Sequence, residues 1–259
     1  MTTGKKKFWS VIFIILVLVI VAAVIVALNL DRIVKREVKI YGPQITKVSV
    51  TLDNLHISLL AGSATVNGFV LGNPEGYKTP DAISIGHASV GINPFSLLTD
   101  KIVVHSIHVT APEITFEGGL GGNNLSKIMD NVNGSSQTGG PVVTNSAGQP
   151  KASKKIEVDD FLITNALVHV SLTGNLGAVV SREMTLTIPA IHLTNLGKGT
   201  DGLTATEMTR AILSAITSAT VKAVAANATN LGGKGAQLIK QRGQGTLNQA
   251  TKTIGNLFK

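Results

Sequence analysis

Residues 102–116 read IVVHSIHVTAPEITF and residues 156–170 read IEVDDFLITNALVHV, at a constant offset of 54 positions. Both segments alternate apolar and polar residues and are rich in Val, Ile and Thr, a composition typical of half-buried β-strands. The alternation shifts by one residue inside each segment, at His105-Ser106 and at Asp159-Asp160. Such a shift turns the following side chains to the other face unless the backbone bulges.

The shifted pattern recurs along the chain as apolar, any, apolar, two polar or weakly apolar residues, apolar, any, apolar. It occurs at residues 50–57, 83–90, 102–109, 156–163 and 186–193. Five shifts predict a series of bulges or creases that bend one sheet around its apolar face. The alternative is that so short a pattern recurs by chance in any Val- and Ile-rich β-protein.

These segments place a β-domain at residues 42–203. Strand composition covers residues 48–117 and 156–195, with breaks at Gly, Pro and Asn. Between them, residues 133–155 read NGSSQTGGPVVTNSAGQPKASKK, which has no apolar periodicity. This composition predicts a mobile loop.

Residues 204–259 change to helical periodicity. Thr204 and Glu207 fit a capping box, which predicts a helix start. The apolar stripe that follows is Met208, Ile212, Ile216, Ala219, Ala223 and Ala226, with Gly232-Gly233 as a stop. A second, weaker stripe is Leu247, Ala250, Ile254, Leu257 and Phe258. The sequence therefore predicts two amphipathic helices, which pack either on the domain's own core or on a membrane.

Residues 8–30, FWSVIFIILVLVIVAAVIVALNL, contain no charged residue. As a helix, 23 residues span roughly 34 Å, enough for a hydrocarbon core of about 30 Å. The sequence predicts a transmembrane anchor, with residues 1–41 comprising a cytoplasmic stub, this helix and a juxtamembrane extension. Its representative anchor residues are Phe8, Trp9, Ile14, Val19, Val24 and Leu28. The alternative is a cleavable signal peptide, but the run is longer than a usual signal core.

The net charge of +8 is unevenly distributed, since residues 204–259 carry seven basic residues and one acidic residue. Anionic phospholipid headgroups explain a basic tail beside a membrane better than nucleic acid does, and aromatic residues are only 4% of the chain. Lys234, Lys240 and Arg242 are the predicted contacts to headgroups or to a partner. The plainer alternative is that they are solvated faces of a helix.

No motif in the sequence predicts catalysis. The chain has no cysteine, and its six histidines lack HExxH or carboxylate-rich spacing, so neither a metal site nor a cofactor is expected. His105 and His108 lie on opposite faces of a regular strand, and the neighbouring Asp159 and Asp160 diverge. The Gly-rich residues 118–122 lack the Lys-Ser/Thr of a P-loop. We expect a non-enzymatic protein.

Several short motifs resemble the AsmA family of bacterial envelope proteins. They are Leu59-Leu60-Ala61-Gly62, Val70-Leu71-Gly72-Asn73-Pro74-Glu75-Gly76-Tyr77, Asn93-Pro94-Phe95-Ser96-Leu97-Leu98, residues 107–114 (IHVTAPEI) and residues 123–129 (NNLSKIM). The Asn-Pro-x-Gly-aromatic and Pro-x-Ser-Leu-Leu elements are the most specific when taken together. The position of the anchor also matches the family.

The resemblance implies a single-pass inner-membrane protein with a cytoplasmic N-terminus and a periplasmic bulk. It implies phospholipid transport or outer-membrane assembly through an apolar β-groove; the alternative is a structural or adaptor module of an envelope complex without a ligand. Membrane lipids, further copies of the chain or other envelope proteins are the expected partners.

The predicted fold is mostly β with α: an anchor helix, one curved sheet forming a groove, and two C-terminal helices. The groove candidates are Ile85, Ile102, Val104, Ile107, Val109, Ile114, Val158, Ile163 and Ile191.

Overall fold

The computed structural model describes residues 29–119, 122–137, 143–144, 150–151, 154–172, 183–198 and 201–227. These residues form a curled, half-barrel sheet of ten strands with helices packed on it, which confirms the predicted mostly β class and curved sheet. No helix within the described ranges is long and apolar enough to cross a bilayer. The predicted anchor, except for Asn29 and Leu30, lies outside those ranges, as does the second tail helix.

The helices and strands follow one another along the chain in this order. Helix α1 covers residues 29–46. It is followed by β1 (Val50–Ser58), β2 (Ser63–Gly72), β3 (Asp81–Ile92), a 3₁₀ turn (Pro94–Leu98), β4 (Lys101–Thr110), β5 (Glu113–Gly119), β6 (Gly122–Asn123) and α2 (Asn124–Gln137). Then come β7 (Val143–Thr144), β8 (Pro150–Lys151), β9 (Lys155–Thr164), β10 (Leu167–Leu172), β11 (Glu183–Thr187), β12 (Ile191–Leu196) and α3 (Ala205–Ala226).

The main sheet follows the order β11-β10-β5-β3-β4-β9-β12. Strand β2 pairs with the other edge of β3, β1 pairs with β2, and β6 pairs with β5. Strand β3 bridges two halves of the sheet. Along one edge of β3, the C-terminal part pairs with β4 and the N-terminal part pairs with β5. Strands β7 and β8 form a separate pair.

The two copies offset by 54 residues lie side by side. Strands β4 and β9 are parallel, with Ile102 opposite Ile156, and β5 and β10 continue in the same register. Between the two strand pairs, Ala111 (φ 48°) and Asn165 (φ 56°) both adopt the left-handed conformation. The Ala111 amide donates to the Thr164 carbonyl at 2.8 Å, so both copies are creased at equivalent positions.

Four of the five predicted shifts, in β1, β3, β4 and β9, are places where two consecutive residues face away from the core. The fifth prediction, at residues 186–193, is wrong, because β11 ends at Thr187 and β12 begins at Ile191. In β1, Leu52 and Leu55 are buried whereas Asp53 and Asn54 are exposed. Opposite them, Gly68 adopts φ +64°, and a Cβ there would lie 2.2 Å from an Asp53 carboxylate oxygen. The pairing register is unchanged across this point, since Leu52 pairs with Phe69 and Asn54 pairs with Asn67. The strand is therefore creased here without an inserted residue, and the crease keeps the apolar side chains on one face.

Helices α2 and α3 pack on this apolar face of the sheet, which we call the inner face. Side chains of α2 at i, i+3, i+4 and i+7 are buried: Leu125, Ile128, Met129 and Val132. This helix was not predicted from the sequence, although the spacing of its apolar residues is helical. Helix α2 extends to Gln137 and β9 begins at Lys155, so both ends of the predicted loop 133–155 have regular structure.

The capping box of the tail helix is confirmed. The Thr204 hydroxyl accepts from the Glu207 amide, and the Glu207 carboxylate accepts from the Thr204 amide at 2.7 Å. Of the predicted stripe, Met208 and Ile216 are buried, and three residues are partly buried: Ile212, Ala219 and Ala223. The prediction is wrong at Ala226, which is exposed, and it did not include the fully buried Ser214 and Val224. The described helix ends at Ala226, and the predicted stop at Gly232-Gly233 lies outside the described residues.

Helix α1 packs along the β1–β2 hairpin. Val34 and Val38 contact a small apolar cluster around Leu52 and Leu55. At its C-terminal end, the Ile45 carbonyl accepts a hydrogen bond from the Ser135 hydroxyl of α2 at 2.9 Å. Residues 29–46 are therefore packed against the β-domain at both ends of the helix.

Candidate functional site

The inner face brings all nine groove candidates into one apolar cluster. Six of them are buried: Val104, Val109, Ile114, Val158, Ile163 and Ile191. The other three are partly buried and pack against the same cluster: Ile85, Ile102 and Ile107. Because side chains of α2 and α3 belong to this cluster too, the inner face is covered by the protein's own helices in this structure.

Helix α3 is the larger part of that cover. It contacts β9, β11 and β12, and it packs side by side with α2, which contacts β5 and β6. Its buried face includes polar residues as well as apolar ones. Ser214, Thr217 and Thr220 are fully buried, and the hydroxyls of Thr217 and Thr220 have no hydrogen-bond partner among the residues that the structure describes. A buried unpaired hydroxyl costs about 1–3 kcal/mol, so α3 is held less strongly than an apolar helix would be.

Beside the cover, the loop between β2 and β3 is fastened by a buried carboxylate. Glu117, only 1% exposed, accepts hydrogen bonds from the Lys78 amide at 2.8 Å and the Thr79 amide at 2.9 Å. The Thr79 hydroxyl donates to it at 2.7 Å. Burial raises the pKa of Glu117, but the hydrogen bonds from Thr79 and Lys78 outweigh it and hold that pKa below its usual value.

Two asparagines connect this loop to α2. The Asn124 side-chain amide donates to the Asn73 side-chain oxygen and to the Thr115 carbonyl, both at 2.7 Å. The Asn73 amide donates in turn to the Thr79 carbonyl at 2.9 Å. The Asn-Pro-x-Gly-aromatic element and the Asn-Asn-Leu-Ser element, quoted above as motifs, thus form one hydrogen-bonded network. Sequence analysis missed Glu117, whose signal is an isolated acid following the apolar residues of β5.

The opposite, outer face of the sheet carries a histidine–aspartate cluster. Asp160 contacts His192 Nε2 at 2.6 Å and His108 Nε2 at 2.9 Å, and Asp159 contacts His105 Nδ1 at 3.3 Å. The expectation that these pairs diverge is wrong, because the one-residue shifts turn both histidines and both aspartates outward.

The aspartates of the outer cluster are about one-third exposed, whereas Glu117 is buried. Hydrogen bonds from His192 and then His108 hold the pKa of Asp160 below its usual value. Across the part of the chain that the structure describes, no three His, Asp or Glu side chains are arranged to hold a metal ion. The cluster links β4, β9 and β12 across the outer face, which is a structural role.

Two sets of predicted site residues lie outside the described ranges. The first is the anchor set: Phe8, Trp9, Ile14, Val19, Val24 and Leu28. The second is the set of predicted headgroup contacts: Lys234, Lys240 and Arg242.

No family model matches the chain, and no curated protein matches it. The AsmA resemblance therefore stays a prediction that rests on the quoted motifs. Asn73 and Asn124 belong to the loop network, and Tyr77 lies near its carboxylate, Glu117. This gives the three motif residues a structural reason to occur together.

Proposed function

We propose that this chain is an inner-membrane-anchored, non-enzymatic protein that takes part in phospholipid transport or outer-membrane assembly. In this proposal, acyl chains enter the apolar inner face of the curled sheet when α3 moves away. The observation that carries it is the nature of the cover: a single-layer sheet has one continuous apolar face, closed by a helix with buried, unpaired hydroxyls.

The free energy gained by burying the apolar side chains of α3 on the inner face is similar in size to that gained by burying acyl chains there. Five apolar side chains of α3, each contributing about 1.5–3 kcal/mol on burial, give about 8–15 kcal/mol. They are Met208, Leu213, Ile216, Val221 and Val224. The two unpaired hydroxyls, at about 1–3 kcal/mol each, reduce this to about 2–13 kcal/mol. Relative to water, about ten acyl methylenes at about 0.8 kcal/mol each gain roughly 8 kcal/mol on the inner face, which is of the same order as the burial of the helix.

Lipid retention tests the proposal. The full chain is extracted in mild detergent, washed with excess detergent, and its bound phospholipid is measured by mass spectrometry. Val104 and Val158 are opposite each other on the inner face, so the double variant Val104→Thr, Val158→Thr makes that face polar with little change of shape. We expect it to retain less phospholipid than the parent.

The matched control is Val103→Thr, because alternation places Val103 on the outer face of the same strand. Circular dichroism confirms that each variant is folded. Equal phospholipid on the parent and on both variants would contradict a lipid site on the inner face, since the anchor is unchanged in all three chains.

The second candidate function is an adaptor module without a ligand. It is favoured by one observation: all nine groove candidates already pack in the core under α2 and α3. In this case α3 never leaves the sheet. Hydrogen exchange separates the two candidate functions. If the chain is an adaptor, the amides of β9 beneath α3 exchange no faster in lipid vesicles than in detergent.

The proposed topology places residues 1–7 in the cytoplasm and residues 42–259 in the periplasm. Lysines flank the uncharged run on both sides, so charge counting does not choose an orientation. Fusions of a reporter that is active only in the periplasm, one at each end of the chain, test the topology. We expect activity at Lys259 and none at Met1, and the reverse would contradict the proposed topology.

A further inference from the structure

Two turns at one end of the sheet expose large apolar side chains to solvent. Leu60, Phe95 and Leu98 are 104%, 80% and 87% exposed, the highest values among large apolar residues that the structure describes. Leu60 lies in the turn between β1 and β2, and the other two lie in the 3₁₀ turn after β3. We call these three side chains the apolar tip.

The two turns are in direct contact. The Ile92 amide donates to the Gly62 carbonyl at 2.8 Å, which ties the end of β3 to the β1–β2 turn. A Cβ on Gly62, whose φ is +60°, would lie 2.8 Å from the Ile92 carbonyl oxygen and 3.5 Å from the Pro94 ring. The tip is therefore one surface made from two adjacent turns.

The 3₁₀ turn is held firmly enough to keep its apolar side chains outside. The Asn93 side-chain oxygen accepts from the Phe95 amide at 3.1 Å. The buried Ser96 hydroxyl donates to the Asn93 carbonyl at 2.6 Å and accepts from the Val103 amide at 2.9 Å. Phe95 and Leu98 are thus presented by a fixed turn, and their exposure is built into the fold.

The described part of α1 begins at this same end, at Asn29 and Leu30, the last two residues of the uncharged run. The Asp31 carboxylate accepts from the Ile57 amide at 2.8 Å, and the Lys35 ammonium contacts the Asp53 carbonyl. Helix α1 therefore runs antiparallel to β1, and its N-terminal end lies beside the turn that carries Leu60. The 23 residues without a charge end at Leu30, next to the apolar tip.

A basic side chain borders the tip as well. The Lys154 ammonium donates to the carbonyls of Leu97 and Thr99, at 2.5 and 2.9 Å. Lysine next to exposed Leu and Phe is the composition of surfaces that lie at the boundary between headgroups and acyl chains. The apolar side chains enter the acyl region, and the ammonium stays at headgroup level.

We propose that the apolar tip inserts into the interfacial layer of the bilayer that holds residues 8–30. This inference rests on the anchor of the proposed function and adds a second, fixed attachment to it. Together, the anchor and the tip orient the sheet against the membrane, with the β2–β3 loop at the far end. A bilayer is favoured over a protein partner because the tip adjoins the point where the uncharged run ends.

Depth-dependent quenching tests the insertion in the full chain. The chain has no cysteine, so single variants Leu60→Cys, Phe95→Cys and Leu98→Cys can each take one environment-sensitive fluorophore. The labelled chains are reconstituted in phosphatidylcholine–phosphatidylglycerol vesicles that contain a lipid with a nitroxide near the headgroup. The matched control is Glu75→Cys, an exposed position in the loop at the opposite end of β2 and β3.

We expect blue-shifted emission and at least twofold stronger nitroxide quenching at positions 60, 95 and 98 than at position 75. Quenching equal to that of position 75 would overturn the inference, while flotation with the vesicles would leave the anchor intact. A blue shift without nitroxide quenching would mean that another protein or a second copy of the chain covers the apolar tip. This result would also overturn the inference. A chain that does not float with the vesicles contradicts the anchor and the tip together.

Discussion

Glu117 is the residue whose burial has the clearest chemical consequence. Its carboxylate satisfies two backbone amides and one hydroxyl of a loop that is 38–39 residues away in sequence. No local pattern reveals such a contact, because it depends on how β5 is placed beside β3. Sequence analysis could find the loop motif, but it could not find the group that holds the loop.

Glu117→Gln is expected to lower the free energy of unfolding by about 1–3 kcal/mol at pH 7, because one acceptor oxygen is replaced by a donor facing other donors. The folded-state pKa of Glu117 is depressed, so its contribution is fully present above the unfolded-state pKa. It is lost as the pH falls through the folded-state value. As the pH falls from 5 towards the acid unfolding transition, the variant should therefore lose less of its free energy of unfolding than the parent does.

Urea unfolding at pH 7 and at a series of lower pH values measures this difference. The control is Glu113→Gln, since the Glu113 side chain in the same strand is largely exposed. Parallel stability curves for Glu117→Gln and the parent below pH 5 would contradict a depressed pKa at this carboxyl.

Ala111 is the residue that marks the crease in the β4–β5 copy. A non-glycine residue at φ 48° is strained, whereas glycine adopts this conformation readily. We expect Ala111→Gly to raise the free energy of unfolding by roughly 0.5–1 kcal/mol. Denaturant unfolding measures it.

Ser89→Gly in regular strand β3 is the control and should lower stability by roughly 0.5–1 kcal/mol. If both glycine variants destabilise equally, Ala111 does not adopt the left-handed conformation and the crease is misplaced.

At the scale of elements, α3 decides whether the inner face is a core or a site. The capping box and the helical period predicted this helix correctly, because both signals are local. The period could not predict its buried hydroxyls, since burial of Thr217 and Thr220 results from packing on α2 and on the sheet. Helix α2 was missed because its polar ends lie beside glycine-rich segments that favour loops.

Thr217→Val is expected to raise the free energy of unfolding by about 1 kcal/mol, because it replaces an unpaired buried hydroxyl with a methyl group. It should also slow lipid uptake by holding α3 more tightly on the sheet. Denaturant unfolding and the rate of fluorescent phospholipid binding measure the two effects.

The control is Thr209→Val in the same helix, where the hydroxyl does donate to the Ala205 carbonyl at 2.8 Å. We expect no stabilisation there. A Thr217→Val variant that is more stable and yet binds lipid at the parent rate would mean that lipid enters without displacing α3.

At the scale of the whole molecule, the repeated one-residue shifts account for the curl of the sheet. The shifts at Asp53-Asn54 and Asp159-Asp160 could be found in the sequence, since burial demands that apolar residues return to one face. The parallel pairing of the two copies could not be found, because strand neighbours depend on chain topology. The shifts also explain why His105 and His108 share a face, which alternation alone predicts wrongly.

The account's central claim is that the inner face of the sheet receives phospholipid acyl chains. Photoreactive phospholipid in vesicles with the full-length parent chain tests it most directly, with cross-linked peptides identified by mass spectrometry. The account predicts cross-links on the inner face at Val104, Val158 and Ile163 and on the buried face of α3. Cross-links confined to residues 8–30 and the apolar tip would contradict it.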